Sequence, residues 1–394
     1  METRKVLDEQ ILPEQSGQRD VNVPITVLCY ILSLSGGAGT NMARLAAGMT
    51  RHGYRVVLVY SHSWEKCRDQ VRNISGVQEV SLRSERNAQA VLPVSRLIRE
   101  YRPTVLFTTV GNNGAVVLLA KKLAGSNARV VVREANSPSE LLKKHGRIER
   151  KLRIRVLTWV YRRAYRVIAI TDQMAEEIRL KFGVDSESIV MIHNGIPLPR
   201  QVQSIVPKIE SVGSQSLPVI LSVGRLVPQK GHADLLKAIA SFSQRLRSRC
   251  VILGDGPERA KLSELASTLG ISSLVTFAGH VDDPSSYYAA ADVFVLASRF
   301  EGFPSVIVEA LSFGVPVVAT NCPTGPSEII CDDRYGFLVP VGDSIALGKA
   351  IETAIARQFD EDDLRARARM FSVEKQISVF NSLIEEAVCA VKRH

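Results

Sequence analysis

Two α/β domains in series, each built around a doubly wound parallel sheet, are the fold that this sequence predicts. The chain has 394 residues, which is too long for one ordinary core and suits two domains of roughly 150–200 residues. Short apolar segments typical of buried strands alternate with helical segments, and this alternation predicts parallel sheets. The alternation stops in a polar stretch over 201–217 and then begins again, which indicates a linker between two domains.

The first domain is predicted over 21–200, after a polar extension over 1–20. Its strands are expected at 23–33, 54–60, 105–109, 129–133, 167–170 and 189–192. The second domain is predicted over 218–371, with strands at 219–223, 250–253, 275–277, 293–297 and 317–319. Residues 372–394 are predicted to form a last helix.

Composition excludes several classes of protein. The hydrophobic fraction of 45% and the charged fraction of 23% are typical of a folded protein. No apolar run reaches the roughly 18–20 residues of a membrane span, and the polar residues 1–20 lack the apolar core of a signal peptide. The six cysteines are scattered and form no C-x-x-C pair, which predicts reduced thiols, a cytoplasmic location and no zinc site.

The most informative segment carries two glutamates, Glu301 and Glu309, around a Gly302-Phe303-Pro304 turn. A predicted strand leads into this turn, and a helix is expected to begin at Pro304, where the missing N–H costs nothing. The first amides of a helix have no partner within it and can bind an anion or sugar hydroxyls. Glu309 follows on roughly the same face as Glu301, so each carboxylate can hold one sugar ring. The alternative is a pair of solvated glutamates, which the flanking residues disfavour.

A second motif follows the predicted strand at 219–223. Arg225 and Lys230 lie five residues apart in a loop at the C-terminal end of this strand, which is where α/β sheets bind ligands. An arginine offers a bidentate fork and a lysine a point charge, and the pair suits a diphosphate. Two exposed surface cations are the alternative interpretation.

Glycines also lie between the first predicted strand and a helix expected over 40–52. Gly36-Gly37-Ala38-Gly39 would let the backbone approach a ligand with free amides, which makes Gly37 a candidate contact. The G-x-G-x-x-G fingerprint is absent, so a dinucleotide-dependent oxidoreductase is disfavoured. A plain tight turn is the alternative.

The net charge of +10 is concentrated over 143–166, where ten lysines and arginines face a single acid, Glu149. Apolar residues recur among them at helical spacing: Ile148, Leu152, Val156, Trp159 and Val160. A basic amphipathic helix with an aromatic anchor predicts binding to an anionic membrane surface. A solvated helix is the alternative, and nucleic acid is not expected as a partner because no nucleic-acid motif accompanies the charge.

In this order, the motifs resemble those of glycosyltransferase family 4, whose members have the GT-B fold, use nucleotide sugars and retain the anomeric configuration. The resemblance rests on Gly36-Gly37-Ala38-Gly39, Asn194-Gly195-Ile196, Gly224-Arg225, Lys230-Gly231, Gly254-Asp255-Gly256-Pro257, Gly279-His280, Glu301-Gly302-Phe303-Pro304, Glu309-Ala310 and Gly325-Pro326-Ser327-Glu328-Ile329-Ile330. It covers nearly the whole chain. It implies two Rossmann-like domains facing each other across a cleft, the first for the acceptor and the second for the donor, with the last helix crossing back onto the first domain.

The resemblance also implies roles for single residues. The donor side would comprise Gly37, Arg225, Lys230, Glu301, Gly302, Phe303, Pro304 and Glu309. Arg225 and Lys230 would hold the diphosphate, Glu301 the donor sugar and Glu309 the ribose. Arg225, Lys230 and Glu301 would form the catalytic set, because two cations can neutralise a departing diphosphate without a metal. No metal or other cofactor is expected, and the D-x-D pattern at 360–362 is interpreted as acids at a helix N-terminus.

On the acceptor side, the segment Arg133-Glu134-Ala135-Asn136 lacks the histidine that many family members carry at this strand end. Glu134 and Asn136 are expected to be the polar groups there. The implied activity moves a hexose or N-acetylhexosamine from a nucleotide sugar, expected to be UDP-linked, to a polyprenyl-diphosphate-linked glycan. A cytoplasmic enzyme on the inner face of the cell membrane, acting in surface polysaccharide synthesis, fits the basic helix. An epimerase or phosphorylase with the GT-B fold, or a non-catalytic nucleotide-sugar-binding protein, are the alternatives.

Overall fold

The computed structural model describes residues 25–34, 36–63, 76–82, 86–109, 111–143, 145–199 and 217–392. Within these ranges the chain forms two α/β domains around a seven-stranded and a six-stranded sheet, and every strand pairs with its neighbours in parallel. The predicted fold class is therefore confirmed. The extension over 1–20 and all but one residue of the predicted linker lie outside the described residues.

The first sheet has the strand order β3-β2-β1-β4-β5-β6-β7. Its strands are β1 (Thr26–Leu34), β2 (Arg55–Ser63), β3 (Val77–Ser81), β4 (Val105–Thr109), β5 (Arg129–Arg133), β6 (Arg166–Ala169) and β7 (Ile189–Met191). Its helices are α1 (Gly36–Arg51), α2 (Asn87–Tyr101), α3 (Gly111–Ala124), α4 (Pro138–Leu142), α5 (Arg147–Tyr161) and α6 (Asp172–Phe182). The chain winds outward in both directions from β1 and β4, and a ligand crevice is expected where the winding reverses.

The second sheet has the order β10-β9-β8-β11-β12-β13. Its strands are β8 (Val219–Val223), β9 (Arg249–Leu253), β10 (Val275–Gly279), β11 (Val293–Leu296), β12 (Val317–Thr320) and β13 (Gly336–Val339). The helices are α7 (His232–Phe242), α8 (Arg259–Thr268), α9 (Ser285–Ala289), α10 (Ser305–Ser312), α11 (Pro326–Ile329), α12 (Ser344–Ala356), α13 (Glu361–Arg369) and α14 (Val373–Lys392). β11 and β12 are buried along their whole length, as expected for parallel strands covered on both faces.

The last helix, α14, packs on the first domain, as predicted. The Phe380 ring meets Phe107 of β4 edge-on, with 4.7 Å between the ring centroids. Phe380, Leu383 and Ile384 are buried in the same cluster as the side chains of β1. Arg129 donates a hydrogen bond of 2.9 Å from Nη2 to the carbonyl of Ala390. The C-terminal helix is therefore part of the core of the first domain.

The basic segment over 143–166 is not one helix, which corrects the prediction. The short helix α4 ends at Leu142, and α5 begins only after Gly146. The apolar stripe also divides, because Trp159 and Val160 pack into the domain whereas Ile148 and Leu152 are 87% and 61% exposed. In the described part of the chain, no helix is long and apolar enough to cross a membrane.

Candidate active site

A cavity of about 450 Å³ lies between the two domains, and both contribute to its lining. The second domain supplies Gln229, Glu301, Gly302, Phe303, Ser305 and Glu309. The first domain supplies among others Arg44, Arg133, Ala135, Asn136 and Asn194. The volume falls in the range of about 300–1,000 Å³ that is usual for small-molecule sites. Four of the eight residues predicted for the donor side therefore line one cleft, whereas Arg225, Lys230 and Pro304 are not among its lining residues.

Glu301, which lines this cleft, forms an ion pair with Lys230. The Nζ atom of Lys230 lies 2.7 Å from Oε1 of Glu301, and the two side chains are 18% and 8% exposed. Ser298 donates a second hydrogen bond of 2.5 Å to the same oxygen. The Oε2 atom of Glu301 makes no hydrogen bond with the described residues, so one carboxylate oxygen remains for a ligand hydroxyl.

The loop that carries Lys230 is fixed by backbone contacts. A 3-10 turn over Pro228–Lys230 ends at Gly231, whose φ of 65° is in the left-handed region. A Cβ on Gly231 would lie 2.0 Å from the carbonyl oxygen of Ala297 at the end of β11, so only glycine fits here. Arg225, on the same loop, is exposed and makes no ion pair within the described ranges.

Glu309 lies on α10 and is largely buried. Tyr288 donates a hydrogen bond of 2.9 Å to its Oε2 atom. Burial raises the pKa of the Glu309 carboxyl, while the hydrogen bonds from Tyr288 and Ser305 and the charge of Arg44 act in the opposite direction. Arg44 belongs to α1 of the first domain, so a cation on one wall of the cleft faces a carboxylate on the other.

The two walls touch at Gly302. A Cβ there would lie 2.9 Å from Oδ1 of Asn136 and 3.0 Å from the carbonyl oxygen of Ala135. Phe303 is buried behind this contact, with its ring 5.8 Å from that of His193 and 5.6 Å from that of Phe371. The two domains are therefore in contact at the residues predicted to hold the donor sugar. The prediction that Pro304 is the first residue of the helix is corrected, because Pro304 is the N-cap of α10.

The structure separates Glu134 from Asn136, which were predicted together. Asn136 is exposed and lines the cavity. Glu134 is only 2% exposed, and its carboxylate accepts a hydrogen bond of 2.9 Å from the Tyr161 hydroxyl. It is not among the residues that line the cavity, because the extended chain alternates and turns this side chain away.

Two arginines of the cleft wall were not predicted. Arg133 closes β5 and lines the cavity, although it is 1% exposed. Arg44 lies on α1, the helix whose glycines were predicted to form a turn before it. Instead α1 begins at Gly36, and Gly37 is in its first turn. The glycine at position 39 is required by close packing, because a Cβ there would come within 2.8 Å of the backbone of Leu34. A cation ending an apolar strand was the signal in the sequence for Arg133.

A larger cavity, of about 570 Å³, lies elsewhere on the domain boundary and is lined by His193, Glu328 and Phe371 among others. Nε2 of His193 is 3.5 Å from Oε2 of Glu328. The backbone amide of Gln173 donates a hydrogen bond of 3.3 Å to Oε1 of Glu328. This larger cavity contains none of the residues predicted to hold the donor, so the smaller cleft is the candidate active site.

In the D-x-D pattern, the Asp360 carboxylate caps α13 by accepting a hydrogen bond of 2.9 Å from the backbone amide of Asp362.

Two family models match the chain in the order of its domains. The model described as "Glycosyl transferase 4-like domain" matches residues 36–195, and the model described as "Glycosyl transferases group 1" matches residues 208–371. The first covers Arg44 on α1 and Arg133 on β5, and the second covers the Lys230 and Glu301 loops.

Several similar proteins are glycosyltransferases of glycan synthesis. The N-acetylgalactosamine-N,N'-diacetylbacillosaminyl-diphospho-undecaprenol 4-alpha-N-acetylgalactosaminyltransferase of Campylobacter jejuni is 27% identical over 279 residues, 69% of this chain and 71% of that enzyme. The lipopolysaccharide core biosynthesis glycosyltransferase LpsE of Rhizobium meliloti is 40% identical over 151 residues, 38% of this chain and 42% of that one. The amylovoran biosynthesis glycosyltransferase AmsD of Erwinia amylovora is 26% identical and covers 79% of this chain and 84% of its own.

Among solved structures, HepE of Anabaena in complex with UDP superposes with a TM-score of 0.78 at 22% identity, over 92% of this chain and 100% of that one. At this identity the likeness supports the fold alone. The two family models together span both domains and their motifs. The chain therefore belongs to glycosyltransferase family 4 and has the GT-B fold.

Proposed function

We propose that this glycosyltransferase moves a hexose or N-acetylhexosamine from a UDP-sugar to a polyprenyl-diphosphate-linked glycan, with retention of configuration and without a metal. The observation that carries the proposal is the Lys230–Glu301 pair, which sets a cation beside a carboxylate that lines the interdomain cleft. The Campylobacter relative, which by its name acts on a diphospho-undecaprenol substrate, supports the class of acceptor.

The charge arrangement supports the chemistry. The departing nucleoside diphosphate gains negative charge in the transition state, and positioned cations that face this charge lower the barrier. Lys230 and Arg225 supply two such cations, and the N-terminal amides of α10 add a partial positive charge. The donor sugar would then lie against Gly302 and Phe303, with the Glu301 carboxylate binding a hydroxyl.

Retention is explained best by attack on the face from which the diphosphate leaves. Covalent catalysis with retention needs a carboxylate placed as a nucleophile. Oε1 of Glu301 is engaged by Lys230 and Ser298, and Glu309 is engaged by Tyr288, so each of these carboxylates has a binding role. A donor phosphate oxygen would accept the proton of the acceptor hydroxyl.

A thermal-shift screen tests the proposal. The purified protein is heated with UDP-, GDP-, ADP- and dTDP-sugars, with and without EDTA. A ligand that binds only the native state raises the melting temperature, and we expect a UDP-sugar to do so to the same extent in EDTA. A shift that EDTA removes would contradict metal independence, and no shift with any of these sugars would contradict the transferase proposal.

Replacing Glu309 with alanine is expected to weaken binding of the nucleotide sugar by about 10- to 100-fold, because hydrogen bonds to a charged group contribute about 1.5–3 kcal/mol. Isothermal titration of the nucleotide sugar measures this. Tyr288→Phe is the control, since it removes a hydroxyl bonded to Glu309 but leaves the carboxylate in place. Unchanged affinity in Glu309→Ala would remove the ribose assignment.

The membrane surface is proposed to bind the first half of α5 together with the end of α4. Ile148 and Leu152 are exposed there, beside the exposed cations Arg147, Arg150 and Lys151. Glu149, in the first turn of α5, is paired with Arg153 at 2.9 Å. Because α4 begins two residues after Asn136, this surface lies next to the acceptor side of the cleft, where a lipid-linked substrate would arrive.

Changing Arg147, Arg150 and Lys151 to glutamine is expected to weaken binding to anionic liposomes by about 100-fold, since each basic residue near such a surface contributes about 1 kcal/mol. Liposome sedimentation measures the binding. The matched control changes Lys237, Lys261 and Lys349 to glutamine. These lysines are exposed on the second domain, and their replacement removes the same amount of charge. Equal losses in both variants would show non-specific attraction and overturn the assignment to α5.

A further inference from the structure

Arg133 is a buried cation with free donors. Its Nη2 atom donates a hydrogen bond to Oδ1 of Asn194. Its Nε and Nη1 atoms are buried and make no hydrogen bond within the described residues. A buried charged donor without an acceptor is strongly unfavourable, and native proteins rarely keep one without a reason. Because Arg133 also lines the cleft, a ligand oxygen is a reason that the geometry allows.

The charge on this side chain is retained at neutral pH. Burial lowers the pKa of Arg133 to about 10, and the neighbouring Glu134 carboxylate acts in the opposite direction. Glu134 itself bonds to Tyr161 and does not line the cavity. The first domain therefore presents a cation to the cleft while its counter-charge remains in the core.

A second guanidinium-bearing side chain lines the same cavity. Arg44 is half-buried, lines the same cavity and donates from Nη1 to the carbonyl of Gly195 at 3.3 Å. Arg133 holds Asn194 and Arg44 holds Gly195, so consecutive residues bring the two groups to one patch of the wall. Planar guanidinium groups bind oxyanions through parallel hydrogen bonds.

We infer that Arg133 and Arg44 form an oxyanion subsite on the first domain, which binds a phosphate or carboxylate group of the acceptor. The inference rests on the proposed function, which places the donor diphosphate at Lys230 and Arg225 on the second domain. Two sources share this chemistry: the diphosphate of a lipid-linked acceptor and the carboxylate of an acidic sugar.

The test is isothermal titration of the full chain saturated with UDP, or with the nucleoside diphosphate that the screen selects. The titrants are inorganic pyrophosphate, geranyl diphosphate and glucuronate. We expect one anion to bind the saturated protein, and its affinity to fall about tenfold or more in Arg44→Gln and in Arg133→Gln. UDP affinity is expected to stay unchanged in Arg133→Gln, whereas Arg44→Gln is compared for the anion alone because the charge of Arg44 also acts on Glu309. Binding of geranyl diphosphate identifies a lipid diphosphate as the source, and binding of glucuronate identifies an acidic sugar.

The folding of each variant is checked by its melting temperature. If Arg133→Gln does not fold, Arg133→Lys takes its place, because lysine keeps the charge but lacks the guanidinium fork. A loss of UDP affinity in the Arg133 variants would place the guanidinium in the donor site and overturn the inference. The inference would also be overturned if no anion binds the saturated wild type, or if both variants bind the anion as tightly as the wild type does. If UDP itself does not bind, the donor assignment fails instead, and the same anion titrations of the unsaturated protein decide the subsite.

Discussion

Replacing Lys230 with methionine is expected to lower kcat by about 100- to 1,000-fold, which is the usual effect of removing one group that stabilises transition-state charge. Methionine keeps most of the side-chain volume and removes the ammonium. The loss should fall on kcat more than on KM, because the charge of the diphosphate grows as the glycosidic bond breaks. Initial rates with the donor found in the screen measure both constants.

The control for this change is Lys237→Met, which removes one exposed cation from the same domain. The melting temperature must also be measured, since the Glu301 side chain is 8% exposed and loses its ion-pair partner. A rate within about tenfold of wild type in a folded Lys230→Met protein would contradict the catalytic role, because one charge-assisted contact should cost more than that.

The second large effect is expected for Gly231→Ala, which should lower the free energy of unfolding by about 2–5 kcal/mol. A left-handed conformation costs a non-glycine residue about 1–2 kcal/mol, and overpacking adds about 1–3 kcal/mol. The added Cβ would lie 2.0 Å from the carbonyl oxygen of Ala297. Since relief of this clash must move the Lys230 loop, activity should fall with stability.

Gly125→Ala is the matched control, because Gly125 has the same φ of 65° and no atom within 4 Å of an added Cβ. Denaturant unfolding of both variants separates the conformational cost from the clash. If both lose the same stability, the contact between Gly231 and Ala297 has no energetic weight. If Gly231→Ala keeps full activity, the loop position does not matter for catalysis.

Local patterns in the sequence predicted the second domain well. The strand, glycine turn and helix around Glu301 are defined within a dozen residues, and the loop of Lys230 follows its strand directly. Both features follow a strand directly and carry glycines that mark a turn, so residue types and spacing were sufficient to find them, although the Lys230 loop also contacts the distant Ala297. The crossing of α14 was not a local property, and it came from the family resemblance.

The first domain was harder, because its cleft wall is assembled from distant segments. Arg44, Arg133 and Asn194 meet only after β1, β5 and β7 have joined one sheet, and neither arginine stands in a recognisable motif. Glu134 was chosen for its chemistry, but strand alternation turns it toward Tyr161. The break at Gly146 was hidden for a similar reason, since the run of charges continues through it with no change in composition.

The packing of α14 has a consequence for how the protein is made. Phe380, Leu383 and Ile384 complete the core of the first domain, yet they are synthesised after every strand of both sheets. N-terminal domains usually fold first during synthesis, whereas this one must wait with an apolar face uncovered until the second domain has emerged. A nascent chain that stops before α14 should therefore bind chaperones and be degraded, even though every strand of both sheets is already present.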